Sequence, residues 1–379
     1  MGQFTPIHTE GHINQALAGV LGQILDQGIA SAVLVPCQQP HRRAVMQTLV
    51  RDPAALGAID PFAPVVPTNS ARLVAALTHN NDAPVAAVLR SCEVRAFLEL
   101  VKLHQGSTDN LLLIGTDCFG RFESRDYLSL AAMHEDITTR FLLSVASGAG
   151  GSDVGADLAK ACRMCEHPVA DQVDIRICAI GADPSKDVWL EWVSDKGKQT
   201  QETLGLAAQD KGPTGRDAAV SKLCEERIAF RDAELAAIRE KTGDVAGLSD
   251  IVAACINCYN CRVACPVCYC KECVFVTDTF RHDGEQYLRW ASTRGRLKMP
   301  TDTTFYHLTR MLHMSTLCVG CGQCSSACPN DIPVMELFRS VADRTQARFA
   351  YVPGRSLGEK QPLAVFHAEE FDDVTGQVK

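Results

Sequence analysis

Apolar residues recur at helical spacing along Ile13–Gln27, Ala71–Thr78 and Val94–His104. Between these segments lie Ala30–Val35, Pro84–Leu89 and Asn110–Gly115, short apolar runs of strand length. Strands alternating with helices predict βαβ units and a largely parallel sheet, so the first part of the chain reads as an α/β domain. Ligands of such sheets gather at the carboxyl ends of the strands. Cys37, Cys92 and Cys118 each closely follow a strand-like run, and all three are expected to face one crevice. Arg216–Lys241 reads as one long charged helix with Glu225, Glu226 and Arg227 on a solvated face. After Tyr351 the residues Pro353, Gly354, Gly358 and Pro362 predict an extended tail along the surface. The expected organisation is an α/β domain over 1–215, a helical connector over 216–245, an α-helical and loop domain over 246–345, and a tail over 346–379.

Composition narrows the function. Of 379 residues, 46% are hydrophobic and 22% charged, enough to bury a sizeable core. A formal net charge of -8 argues against a nucleic-acid partner and gives no pull toward an anionic membrane surface. No stretch approaches the roughly 18 apolar residues needed to span a bilayer. The opening MGQFTPIHTEGH lacks a secretory pattern, and Pro6 stands where a myristoylation motif wants Ser or Thr. His8, His12 and His41 lack ligand spacing and read as surface residues. The Gly-rich Ser147–Ala156 has no Walker pattern and reads as a flexible loop. No nucleophile pair, HExxH motif or pair of carboxylates stands out, so no catalytic residue is assigned.

Cysteine changes the picture most. The chain has 18, and with no export signal metal ligation explains them better than disulfides do. A cytoplasmic, anaerobic setting suits such a load of oxygen-sensitive thiolates. Six cysteines are scattered before residue 224 and eleven fall in two tight groups after it, with Cys224 between. Cys255-x2-Cys258-x2-Cys261-x3-Cys265-Pro266 and Cys318-x2-Cys321-x2-Cys324-x3-Cys328-Pro329 repeat the bacterial ferredoxin spacing. Three closely spaced thiolates wrap one cube, and the fourth, before proline, reaches the other. One [4Fe–4S] cluster is therefore expected on Cys255, Cys258, Cys261 and Cys328, and the other on Cys318, Cys321, Cys324 and Cys265. A zinc ribbon is the competing reading, but it needs two cysteine pairs rather than two runs of four ending in Cys-Pro. Cys268, Cys270 and Cys273 exceed this need; they read either as ligands of a further cluster or as spare thiols. Cys261-x3-Cys265-x2-Cys268 matches a radical-enzyme spacing, but inside the ferredoxin run it reads as a coincidental overlap. In the first domain Cys92, Cys118 and the pair Cys162-x2-Cys165 could converge on a third cluster, with Cys37 and Cys178 competing for the fourth place.

The run CINCYNCRVACPVCYCKEC (255–273), followed by CVGCGQCSSACPNDIPV (318–334), resembles the beta subunit of deazaflavin-linked formate dehydrogenases. The first domain is similar to the related beta subunit of deazaflavin-reducing hydrogenases. The resemblance runs on through Met335–Phe338 and Tyr351–Gly354, and upstream through Arg90-Ser91-Cys92-Glu93, Gly115-Thr116-Asp117-Cys118 and Cys162-Arg163-Met164-Cys165. It implies an α/β flavin-binding domain holding FAD and one [4Fe–4S] cluster on Cys92, Cys118, Cys162 and Cys165, three clusters in all, followed by the ferredoxin-like module. It implies an electron-transfer subunit serving a molybdenum or tungsten formate dehydrogenase catalytic subunit or a heterodisulfide-reductase-like complex, with deazaflavin or NAD(P) as two-electron carrier. The family's glycine pair before the first helix appears here as Gly11-His12, its later Thr as Gln15, and its Gly-x-x-Gly as Cys178-x-x-Gly181. Gly11, Gly181 and the loop Pro67-Thr68-Asn69-Ser70 are the implied flavin contacts; an ordinary turn is the competing reading of that loop. Two rival functions are a flavin-free iron–sulfur adaptor and a redox-sensing or structural subunit.

Overall fold

A computed structural model describes residues 2–40, 43–270 and 272–364; His41 and the last part of the expected tail lie outside them. Seven strands form one mixed sheet: β1 (Gln3–His8), β2 (Ala32–Gln38), β3 (Val45–Val50), β4 (Val85–Arg90), β5 (Leu111–Thr116), β6 (Ile175–Cys178) and β7 (Asp187–Trp192). Their order is β1-β7-β6-β5-β4-β2-β3. The central four, β2, β4, β5 and β6, are parallel, whereas β3, β7 and β1 add antiparallel edges. The expected parallel centre is present; β1, β3, β6 and β7 were not expected. Pro6 is accommodated because β1 is an edge strand, where a missing donor costs no ladder bond.

Helices cover both faces of the sheet. The helices of the first domain are α1 (Ile13–Asp26), α2 (Ala71–Thr78), α3 (Ser91–Lys102), α4 (Ser124–Met133), α5 (Ile137–Ala146), α6 (Lys160–Arg163) and α7 (Asp195–Thr203). They are followed by α8 (Arg216–Lys241), α9 (Val245–Ile251), α10 (Asn260–Val263), α11 (Gly284–Arg294), α12 (Thr303–Met314), α13 (Gln323–Ser326) and α14 (Val334–Arg348). Alternation along the central strands divides the core in two. Ala86, Val88, Leu112 and Ile114 pack with Leu17, Leu21 and Ile24 of α1. Ala87, Leu89, Leu111 and Leu113 point the other way, onto α2 and α3. That second core continues without a break into the C-terminal part, through Leu248, Val252, Tyr306, Met311 and Phe338. The two parts are thus joined by buried apolar surface.

Two polar anchors fix the joints. The carboxylate of Asp117, fully buried, accepts the backbone N–H groups of Ala179 and Ile180, each at 2.8 Å, and Arg216 Nη2 at 2.8 Å. This ties the start of α8 to the residue just before Cys118. Glu99 on α3 is also fully buried and binds Tyr351 Oη, the Gly354 N–H at 2.7 Å and Gln361 Nε2 at 2.8 Å. The segment after α14 is therefore strapped to α3, with Tyr351 buried. Among the described residues no helix is long and apolar enough to cross a membrane.

Candidate metal centres

The first ferredoxin-type run folds into a tight loop because Asn257 and Tyr259 both take left-handed backbone conformations (φ 50° and 61°). The turn aims the Asn257 N–H at Cys255 Sγ, 3.4 Å away. Cys255, Cys258, Cys261 and Cys328 line one small cavity, with Tyr306 and His307 beside them. In the second run Gly320 and Gly322 take the left-handed turns (φ 70° and 77°). Cys318, Cys321, Cys324 and Cys265 line a second small cavity, with Arg310 and Met314. Each cavity thus takes three thiols from one run and the Cys-Pro thiol of the other, the crossed pattern read from the spacing.

The thiols of the second cavity are deeply desolvated. Burial pushes Cys265 up to about 12 against the pull of Arg310, and burial with the neighbouring Cys265 does the same to Cys321. Without a bound cation such thiols stay protonated; a metal group that takes them as thiolates must release those protons. The donor chemistry fits an iron–sulfur cube: four soft sulfurs around a cavity, with backbone N–H groups turned toward sulfur at Cys255, Cys318 and Cys321. No set of three His, Cys, Asp or Glu among the described residues is gathered for a single metal ion.

The third group assembles from four places in the first domain. Cys92 sits in the first turn of α3 and Cys118 just after β5, where its N–H donates to the Pro168 carbonyl at 2.8 Å. Cys162 lies on α6, and the Cys165 N–H donates to the Cys162 carbonyl at 3.2 Å. Cys92 is within electrostatic reach of Cys118 and Cys165, as Cys162 is of both. Burial raises the Cys162 thiol to about 11, opposed by Arg121. Arg227, buried on α8, donates to the Phe119 carbonyl at 2.7 Å and to the carbonyls of Cys118 and Cys165. A helix face expected to be solvated therefore carries a residue that braces this group.

The three groups adjoin. Arg310 lies within reach of Cys261 in one cavity and of Cys265 and Cys324 in the other. Cys92 feels Cys321 across the domain boundary. There a Cβ on Gly322 would fall 2.3 Å from the Cβ of Ala161, the neighbour of Cys162. Arg339 bridges the same junction. It pairs with Glu166 and lies near both Cys165 and Cys318. Burial pushes Glu166 up, but Arg339 and His167 overcome it and hold the carboxyl at about 2.

Several sequence expectations need correction. Cys37 does not face the crevice of Cys92 and Cys118. It lies inside β2, buried in the α1-side core beside Thr48 and Asp60, because the β2–β3 hairpin carries the strand past it. Cys178 ends β6 among Arg176 and Glu191, and Cys224 Sγ donates to the Glu166 carbonyl at 3.5 Å. Cys261 and Cys265 line different cavities, in keeping with the reading of the radical-enzyme spacing as a coincidental overlap. Cys268, Cys270 and Cys273 line neither cavity.

Of the expected flavin contacts, Pro67, Thr68 and Asn69 line a groove between the two domains, together with Arg72, Arg125, Lys160 and Pro329. Ser70 is buried instead, its N–H donating to Glu93 Oε1 at 2.9 Å. Gly181 has φ 79° and packs on the start of α8, where a Cβ would meet Arg216 Cα at 2.6 Å. Gly11 has φ 82° and open space around it. Sequence reasoning missed Tyr306, His307 and Arg310, which reach the first cavity's sulfurs from α12.

An α/β sheet domain fused to two crossed four-thiol cavities defines an iron–sulfur protein with [4Fe–4S] clusters. Residues 251–332 match the family described as 4Fe-4S dicluster domain. The chain is similar over most of its length to two curated beta subunits, as its motifs indicated. One is the F420-dependent formate dehydrogenase subunit beta of Methanocaldococcus jannaschii, 24% identical over 76% of this chain and 78% of the relative. Another is the F420-dependent formate dehydrogenase 1 subunit beta of Methanococcus maripaludis, 25% identical over 91% of this chain and 92% of the relative. A chain of the F420-reducing [NiFe] hydrogenase complex from Methanosarcina barkeri aligns with a TM-score of 0.46 at 12% identity, covering 64% of this chain and 92% of that chain.

Proposed function

We propose that this chain is the electron-transfer beta subunit of a formate dehydrogenase-type complex, passing electrons between a catalytic partner and a two-electron carrier. The observation that carries the reading is the contiguity of three four-thiol groups, joined at Arg310 and at the Gly322–Ala161 contact. The reading assigns one [4Fe–4S] cluster to each group: Cys255, Cys258, Cys261 and Cys328; Cys265, Cys318, Cys321 and Cys324; and Cys92, Cys118, Cys162 and Cys165. It assigns FAD to the groove walled by Pro67, Thr68 and Asn69, where Arg72 and Arg125 suit a diphosphate and Lys160 is paired with Glu234 and Glu336. Bound FAD would supply hydride exchange with deazaflavin or NAD(P) and single-electron exchange with the clusters. The chain's own part is to hold the thiolates, exclude water from them and keep the groups adjacent. The proposed partner is a molybdenum or tungsten formate dehydrogenase catalytic subunit or a heterodisulfide-reductase-like complex, in an anaerobic cytoplasm.

A flavin-free adaptor is the second reading, favoured by Gly181, whose freedom from a side chain serves Arg216 rather than an open cleft. Protein purified without oxygen is expected to hold about twelve irons per chain, four per cube, together with FAD. Full iron without FAD selects the adaptor. With a formate dehydrogenase catalytic subunit added, formate should bleach the clusters rapidly; unreduced clusters would exclude the electron-transfer role in both forms.

A further inference from the structure

Resting on the cluster reading above, we propose that α12 sets the reduction potentials of the two C-terminal clusters, Tyr306 and His307 acting on the Cys255 site alone and Arg310 on both. Nothing in the ferredoxin-type spacing calls for this helix. It lies in the long segment between Cys273 and Cys318. Its inward residues fall at helical spacing, and along the axis Tyr306 and Met314 are about 12 Å apart at 1.5 Å per residue. Tyr306 Oη lies 3.3 Å from Cys261 Sγ, and His307 Nε2 lies 3.4 Å from Cys255 Sγ. Arg310 Nη1 donates to Cys261 Sγ at 3.0 Å and Nη2 to the Cys261 carbonyl at 3.2 Å. One turn on, Met314 Sδ accepts from Cys265 Sγ at 3.7 Å. The same helix therefore walls the first cavity with Tyr306 and His307 and the second with Arg310 and Met314. Its opposite face is exposed at Phe305, Leu308 and Leu312.

Arg310 explains why the arrangement has electrical consequences. Arg310 is 4% exposed, and its guanidinium packs over the Phe338 ring at 4.8 Å. Burial opposes its charge most, Cys261, Tyr306, Cys265 and Cys324 favour it, and among the described residues it makes no ion pair with a carboxylate. A buried cation without a carboxylate is balanced by the thiolates, and it attracts the extra electron that reduction places on a cube. Hydrogen bonds to cluster sulfur act in the same direction. Tyr306 and His307 reach only the first set of sulfurs, so their effect is confined to that cluster.

Potentiometric titration of the anaerobic holoprotein, followed by electron paramagnetic resonance, tests this. Cys258→Ser identifies the signal of the first site through its exposed ligand. Tyr306→Phe keeps the ring against Phe275, 5.0 Å away, and removes only the hydroxyl. It should lower the first cluster's potential and leave the second unmoved. Arg310→Met should lower both, by at least tenfold in each reduction equilibrium, which is 59 mV for one electron. Arg310→Lys should restore the second cluster more than the first, since the charge returns without the fork. Full iron content with potentials unmoved by Tyr306→Phe and Arg310→Met would overturn the proposal alone, and so would equal shifts of both clusters in Tyr306→Phe. Wild-type protein without iron–sulfur clusters would overturn it together with the cluster reading. If Arg310→Met does not fold, Tyr306→Phe decides.

Discussion

Gly322→Ala should uncouple the dicluster loop from α6, and the structure gives the size of the effect. Gly322 has φ 77°, so any side chain there costs about 1–2 kcal/mol of backbone strain. A Cβ would also stand 2.3 Å from the Cβ of Ala161, where ordinary contact begins at 3.4 Å. Relieving that overlap requires a shift of more than 1 Å in a packed junction, worth about 1–3 kcal/mol. Gly295→Ala is the control: its φ is 72°, and nothing lies within 4 Å, so only the strain remains. In the double variant Gly322→Ala/Ala161→Gly the nearest atoms are Arg121 Nη2 at 3.7 Å and Ala161 Cα at 3.8 Å, both ordinary contacts. Amide hydrogen exchange on the oxygen-free protein reads the local opening directly. Protection of the Arg163 and Met164 N–H groups, which close α6 on Ala159 and Lys160, should fall about 5- to 150-fold in Gly322→Ala. It should recover in the double variant. Equal exchange in Gly322→Ala and Gly295→Ala, or no recovery on removing the Ala161 methyl, would refute the contact as the junction between the Cys321 and Cys162 loops.

Three further outcomes are expected. Cys328→Ala should damage the cluster of Cys255, Cys258 and Cys261, whose cavity it lines, and spare that of its sequence neighbour Cys324; Mössbauer or paramagnetic resonance spectra separate the two. Arg339→Met leaves Glu166 with Arg231 as its remaining arginine and should cost about 1–3 kcal/mol in anaerobic chemical unfolding at neutral pH. Because Glu166 is held at about 2, below its ordinary 4.5, the wild type's advantage is complete above about 4.5 and lost as the pH falls through about 2. Glu99→Gln leaves the buried Lys102 without its carboxylate and should release the strap of residues 351–361, read as faster proteolytic cutting just after α14.

The central strands were legible because they are buried on both faces, which leaves continuous apolar runs. The edges were not. Pro6 hid β1, and among the central strands β6 escaped too, because it has only four residues, Ile175–Cys178. The segment DVWLEW of β7 did carry a readable alternation, with Val188, Leu190 and Trp192 inward, that went unused. The two crossed thiol sets were readable because local spacing dictates them. Arg227, Arg310 and Arg339 were not, because a cationic side chain on a helix looks solvated until the thiols it faces are in place. Gly181 carries a similar lesson: a glycine needed for close approach does not name what approaches, and here it is the backbone of Arg216.

The exchange of Cys265 and Cys328 between cavities also bears on biosynthesis. A nascent chain that has emerged only through Cys273 offers three thiols to the first pocket and a single one to the second. The second pocket is complete only when Cys324 leaves the ribosome and the first only when Cys328 does, each more than fifty residues later. Neither site can therefore gather its four thiols from the first run alone, and a truncation before Cys318 would leave both short of ligands.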